Sequence, residues 1–428
     1  MALSARLAPV AKLASASALA QLLPMLAAPL LTRFYGATLL GQWALFAAVA
    51  ANLAVIACAR YEYAIVLPRR EAEAGLLLRL CLAITAALSL ACLLAVLLAL
   101  PWAERLPAVQ ALGAWWLALP LMLAASGLMQ ALTLWNNRQR RFGAIAQARV
   151  LQQGLMTLLQ VLGIALGQAA AMAVLMLAQL LGAVAAPARL LWGQAAPRRA
   201  QQRQRSWSAR WRSWRRLALR YRQFPLINSP HAFVNALQET AVIALIASLA
   251  GAATAGHYAI MLRLVKAPAS LVGGALSEVL LGELAAGWQR REDLRPRLRK
   301  AIRLLALVAL LPAALLLLFA PPLFGWALGS DWQVAGDYAR WLTPYVFFHF
   351  IVAPLTVTTM VTGRQAPALL FSLVGNLVYV LALALGLKLG GDLRSALGAI
   401  SLAMPVYFVA YLAWLVHGSD NRPRERVQ

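Results

Sequence analysis

Two cations three residues apart, Arg263 and Lys266, stand inside an apolar run at 256–282. On a helix that spacing puts both on one face. Counted at 1.5 Å per residue from the end near Gly256, they lie about 10–15 Å deep, close to the middle of a bilayer. Ionisable groups at that depth are costly and mark function by default. Arg offers a phosphate a bidentate fork and Lys a point charge, so the pair suits an anionic headgroup such as a pyrophosphate. Glu239, in the preceding run, falls about 20 Å from its own inner end by the same rise. It can neutralise one cation in a structural ion pair, and a pair that opens when a phosphate arrives satisfies both readings. A proton-carrying role for Glu239 is opposed by those cations, which favour its charged form. Gln21, Asn52, Asn235, Gln238 and Asn376 are uncharged polar residues in the middle of apolar runs. They can bind hydroxyl groups in a polar cavity or simply join helices.

Other chemistries find no support. His231, His257 and His349 lack metal-ligand spacing, and Cys58, Cys81 and Cys92 all fall inside apolar runs without paired spacing. No metal site, cofactor or catalytic residue is expected. There is no Walker loop, which excludes nucleotide hydrolysis by this chain. The longest outer loop, read at about 322–337, has only Asp331 and Asp337 as acids, poor equipment for glycosyl transfer.

The elements that must hold these groups are legible from apolarity. The chain is 62% hydrophobic, with a mean hydropathy of +0.71. Twelve runs are long enough to span a bilayer as helices: roughly 7–31, 39–60, 75–100, 111–135, 143–166, 169–192, 225–250, 256–282, 301–321, 338–362, 366–388 and 395–417. None reads as a cleaved signal peptide. Of the 39 Lys and Arg, 32 fall in alternate loops and termini, five in the intervening loops and two, Arg263 and Lys266, within a run. The positive-inside rule then places both termini in the cytoplasm of a multi-pass membrane protein. The net charge of +25 is a topology signal first.

A repeat organises the runs. Gly36-Ala37-x-x-x-Gly41-Gln-Trp-Ala-Leu45 returns 215 residues later as Gly251-Ala252-x-x-x-Gly256-His-Tyr-Ala-Ile260, each copy at a break between two runs. A second echo matches Asn137-Arg138-Gln139 to Gly363-Arg364-Gln365 at an offset of 226, which implies about eleven extra residues in the second half. The expected fold is therefore all-α, with about twelve transmembrane helices in two parallel-repeat six-helix bundles. The bundles are assigned to 1–192 and 225–417, with a basic linker at 193–224 and a tail at 418–428. In the linker, Trp207, Trp211, Trp214 and Tyr221 share a helical stripe and Arg fills the other faces. That pattern describes a helix in the headgroup layer, attracted to anionic membrane lipid. Nucleic acid is a poor partner for a segment placed between two membrane bundles.

At these segments the chain resembles the polysaccharide-precursor flippases of the multidrug/oligosaccharidyl-lipid/polysaccharide (MOP) exporter superfamily, the Wzx-like O-antigen and lipopolysaccharide biosynthesis transporters. The matching stretches are Leu30-Leu-Thr-Arg-Phe-Tyr35, Arg60-Tyr-Glu-Tyr-Ala-Ile-Val-Leu-Pro68, Asn137-Arg-Gln-Arg-Arg-Phe142, Phe224-Pro-Leu-Ile-Asn228, and Gly256-His-Tyr-Ala-Ile-Met-Leu-Arg263 with Pro268. Relatives often carry Pro and an acid just after the first stretch, where this chain has Ala37 and Thr38. The resemblance implies a V-shaped central cavity with alternating access, in the bacterial inner membrane. It implies translocation of an undecaprenyl-pyrophosphate-linked oligosaccharide, an O-antigen or exopolysaccharide repeat unit, from the cytoplasmic to the periplasmic leaflet. Arg263 matches the cationic position held to bind the headgroup. No catalytic residue is implied, and other polysaccharide assembly proteins are implied partners. The alternatives are a multidrug or small-molecule exporter of the same superfamily and a membrane glycan polymerase or ligase. An exporter of cations calls for acids in its cavity, whereas Arg and Lys outnumber the one deep Glu here.

Overall fold

In a computed structural model, residues 2–103, 110, 112–192 and 207–419 are described. The long elements are α1 (Ala2–Ile56), α2 (Glu71–Ala103), α3 (Leu119–Arg138), α4 (Phe142–Leu162), α5 (Ala171–Leu191), α6 (Trp207–Arg220), α7 (Ser229–Leu249), α8 (Ala252–Gln289), α9 (Arg295–Leu328), α10 (Gln333–Leu355), the short α11 (Thr358–Val361), α12 (Gln365–Gly390) and α13 (Leu393–His417). No strand occurs among the described residues. Among the described residues, ten stretches are long and apolar enough to cross a membrane. The first, Ala18–Ile56, holds two spans across a break at Gly36. The 38-residue α8, which carries Arg263 and Lys266, lies outside the ten and completes the expected twelve. Apolar side chains dictate this outcome, because only a helix satisfies every backbone group in hydrocarbon.

The chain divides into two compact units, residues 1–240 and 241–428, with the division inside α7. Both use the same packing scheme. In unit 1, α2 packs on α3, α4 on α5, and α3 on α5. In unit 2, α9 packs on α10, α12 on α13, and α10 on α13. The internal repeat is thus structural. Its first signature has a backbone cause: Gly36 takes φ +67° and ψ 168°, and Gly251 takes φ +90° and ψ +160°. That region is essentially glycine-only, so both helix-to-helix breaks depend on the missing side chain.

The second signature is real but shifted. Arg140 (φ +56°) and Gly363 (φ +72°) hold the same left-handed turn. The next residues, Arg141 and Arg364, cap α4 and α12. Each donates its backbone N–H five residues back, to Asn136 O at 2.9 Å and Thr359 O at 3.0 Å. The two side chains also find matching destinations. Arg141 Nη2 donates to the carbonyl of Trp192, the C-cap of α5. Arg364 stacks 4.5 Å over the Trp414 ring, beside Gly418, the C-cap of α13. The geometric offset is therefore 223, and the tripeptide match at 226 is misregistered by three residues. The second half gains eight residues between the two signatures, where the sequence match suggests eleven.

The outer loop read at about 322–337 is largely helical. Here α9 runs to Leu328 and α10 starts at Gln333, with a 3-10 turn at Ser330–Trp332 between them. Pro321 and Pro322, at the expected end of the apolar run 301–321, lie inside α9. Gly336 makes the close hairpin possible: a Cβ there would fall 2.4 Å from the Ala320 carbonyl oxygen.

Candidate functional site

Arg263 and Lys266 lie on α8 about 17 and 21 Å along the axis from Ala252, at 1.5 Å per residue. Arg263 is exposed and Lys266 half-buried. Since α8 is about 57 Å long at that rise, it outreaches a hydrocarbon core of about 30 Å. The cations fall in its first half. Against α8 packs α10, and its His349 lies close enough to Lys266 to feel the ammonium charge. His349 stacks on Tyr345 with ring centroids 5.5 Å apart, and Tyr345 meets Tyr379 at 5.1 Å. The circuit returns to α8 through a 2.8 Å hydrogen bond between the Tyr379 and Tyr258 hydroxyls. Both of those tyrosines are buried. Unit 2 therefore links His349, Tyr345, Tyr379 and Tyr258 in one aromatic and hydrogen-bonded chain across α8, α10 and α12, with His349 at the end that feels Lys266.

Sequence reasoning missed these partners. His349 was tested only as a metal ligand, although Tyr345 and His349 stand at i and i+4 on one helix face. That polar pair inside an apolar run was the available signal. Asn376, half-buried, shares α12 with Tyr379.

In unit 1 the expected polar residues separate. Glu239 and Gln21 are exposed. Asn52 is buried, and its Nδ2 donates to the Phe233 carbonyl at 3.3 Å. Thr240 Oγ1 donates to the Ala48 carbonyl at 3.0 Å. Together the two bonds stitch the second limb of α1 antiparallel to the first part of α7. Asn52 thereby acts as a helix joint, one of its two expected uses. The side chain of Asn235 lies outside the described ones, as does that of Pro268. A further polar stripe was not singled out. Gln153, Thr157 and Gln160 recur on one face of α4, and each has a buried polar atom without a hydrogen-bond partner among the described residues. Buried atoms of that kind usually engage water. No cluster of His, Cys, Asp or Glu able to hold a metal occurs among the described residues.

The C-terminal end of α1 leads into a 3-10 turn at Tyr61–Val66, where Glu62 is buried with 2% of its surface exposed. Its Oε2 has no hydrogen-bond partner among the described residues. Burial pushes the carboxyl above its ordinary range, and the charge of Arg60 opposes that shift in part. Tyr61 Oη donates to the Ala218 carbonyl of α6 at 3.1 Å. Leu217 of α6 is buried in the same cluster as Tyr61, Ile65, Leu77 and Trp135. Tyr221 and Phe224 pack against that cluster, while Arg215, Arg216, Arg220 and Arg222 stay exposed. Residues 193–206 and the side chains of Trp207 and Trp211 lie outside those described.

Comparison with known proteins agrees with this architecture. A family model described as polysaccharide biosynthesis protein matches residues 30–337. No curated protein sequence matches the chain. Among solved structures, the chain resembles an inward-facing multidrug resistance MATE family transporter of the MOP superfamily, with TM-score 0.73 and 16% identity over 95% of this chain and 96% of that one. An outward-facing structure of such a transporter matches with TM-score 0.58 and 15% identity over 96% of each chain. A MOP superfamily transporter from Pyrococcus furiosus, described as having a binding pocket of reversed polarity that suggests a different function, matches with TM-score 0.59 and 15% identity, over 97% of this chain and 96% of that one. At such identities the likeness speaks for the fold. The repeated helix packing and a family match over most of the length lead to one statement: the chain belongs to the polysaccharide biosynthesis protein family and has the fold of MOP-superfamily transporters.

Proposed function

We propose that this protein is a flippase carrying an undecaprenyl-pyrophosphate-linked oligosaccharide from the cytoplasmic to the periplasmic leaflet of a bacterial inner membrane. The observation that supports the reading is that Arg263 and Lys266 stand three residues apart in the first half of the continuous helix α8, against which α10 with His349 packs. A lipid of this kind needs its diphosphate lodged in a shielded polar site while its tail stays in hydrocarbon. Two cations on one helix face supply that site, through a bidentate fork and a point charge. Glu239, Gln21 and Asn235 complete the proposed set: Glu239 as counter-charge, the amides as hydrogen-bonding groups, while Asn52 holds α1 to α7.

Access alternates between the two leaflets as the bundles 1–192 and 225–417 rock, with the linker 193–224 as their tether and both termini in the cytoplasm. The exposed Arg face of α6 meets anionic lipid headgroups. Other polysaccharide assembly proteins are proposed partners.

The test is delivery of lipid-linked oligosaccharide to the periplasmic leaflet in a deletion strain. Wild type restores surface glycan, while R263A/K266A inserts normally yet leaves cytoplasm-facing precursor to accumulate. Normal export by the double mutant overturns the cationic site. The second reading, a multidrug exporter, draws on the transporters to which the fold is similar. A deletion strain with intact glycan and new sensitivity to cationic drugs would establish it instead.

A further inference from the structure

The internal repeat supplies its own control experiment at one turn. Where unit 2 places Gly363 in the left-handed region, unit 1 places Arg140 in the same backbone state. Glycine adopts that state freely and an L side chain does not, so the turn itself gives no reason for an arginine. The surroundings do. Arg140 lines a groove of about 580 Å³ together with Val66, Asn137, Arg138 and Phe142. That volume falls in the range of about 300–1,000 Å³ typical of small-molecule sites.

The groove is cationic by construction. Arg138 reaches across to the preceding turn, where Nη1 donates to the carbonyls of Ile65 and Val66 at 3.3 Å and Nη2 to that of Arg69 at 3.4 Å. Three carbonyls hold the guanidinium in place without cancelling its charge. Neither Arg138 nor Arg140 forms an ion pair with a carboxylate among the described residues, and no acid lines the groove. Phe142 opens α4, so the positive end of that helix faces the same space. Simple charge bias accounts for arginine in this loop. It does not account for one arginine clamped in place and a second held in a glycine conformation at the rim of one groove.

We propose that this groove is a binding site for a phosphate-bearing group, a diphosphate above all, distinct from Arg263 and Lys266. Arg138 is the fixed cation, Arg140 the mobile one that closes over the phosphate, and Asn137 a hydrogen-bonding flank. In the flippase reading, on which only the source of the phosphate rests, the groove captures the headgroup of a carrier lipid on the cytoplasmic side before translocation.

The test uses the full chain in nanodiscs of neutral phosphatidylcholine, with inorganic pyrophosphate as probe and binding read by microscale thermophoresis. Wild type should bind saturably. Arg140→Gly removes the cation and relaxes the turn, so its affinity should fall at least about tenfold, as for the loss of a charge-assisted contact, while thermal stability holds or rises. Arg138→Gln should weaken binding similarly. Undiminished binding by Arg140→Gly, or no saturable binding by wild type, overturns the proposal. If R263A/K266A alone abolishes the signal, the groove fails while the flippase reading survives. Discs doped with a long-chain polyprenyl diphosphate or with an anionic phospholipid then distinguish the sources. Competition by the first identifies a carrier lipid, competition by the second a bulk headgroup, and competition by neither a soluble phosphate; each supports a phosphate site.

Discussion

Single residues carry sharp consequences here because several sit in conformations or environments that cost free energy. Arg140 is the clearest, with a left-handed backbone that disfavours an L side chain by about 1–2 kcal/mol. Arg140→Gly should therefore raise the melting temperature in detergent, and a lower one would show that the side chain contributes more than the turn costs. Glu62 is the second case. Its folded pKa is raised above the ordinary value of 4.5 by burial. A carboxyl shifted that way destabilises the fold when charged, so stability should increase as pH drops through the elevated folded pKa. The gain is complete near the ordinary carboxylate pKa. Glu62→Gln should be more stable than wild type at neutral pH and lack this pH dependence; parallel melting-temperature profiles for the two proteins would refute the assignment. Neither effect was legible in the sequence. Arg140 lay in a cluster that charge bias explains, and Glu62 belonged to a motif whose specificity hid its burial.

At the scale of elements, the breaks and joints decide the design. Gly36 and Gly251 place a near-extended, positive-φ residue between two spans, and Ala at either should cost about 1–3 kcal/mol. Gly75→Ala, inside α2 with open space at its Cβ, should be neutral or slightly stabilising, by about 0.5–1 kcal/mol at most. Equal melting temperatures for Gly36→Ala, Gly251→Ala and Gly75→Ala would show that the breaks tolerate a side chain. The joint between α1 and α7 rests on Asn52 and Thr240, whose partners are backbone carbonyls. Asn52→Ala with Thr240→Val should cost about 1–2 kcal/mol in total, the ordinary range for two such bonds. Increased hydrogen exchange in residues 229–240 would register the loss; unchanged exchange would place the holding force in apolar packing. The spans themselves were readable because apolarity over about 20 residues has one structural solution in a bilayer. The partners of Asn52 were not, since a polar residue in a span advertises a need for a hydrogen bond and not who meets it.

For the whole molecule, the predicted orientation follows from the 32-to-5 partition of cations between alternate loops. In a variant lacking Cys58, Cys81 and Cys92, a single Cys at position 291 or 364 should resist a membrane-impermeant thiol reagent added to intact cells. A Cys at 105 or 391 should react. The reverse pattern would invert the topology and with it the direction of transport.

What the sequence determined by itself was the set of spans, their repeat and the family, because each depends on properties summed along the chain: apolarity, charge by loop, and motif. Tertiary structure alone decided which polar groups meet. His349 came within reach of the Lys266 charge, Tyr379 met Tyr258, and Asn52 went to a carbonyl, through helix packing between residues tens to hundreds of positions apart. It also set the true register of the second repeat, since the turn is defined by the sign of φ at Arg140 and Gly363. A tripeptide match cannot report that sign. Burial and backbone state are properties of a position in space, and a one-dimensional pattern constrains them only when glycine or proline leaves no alternative.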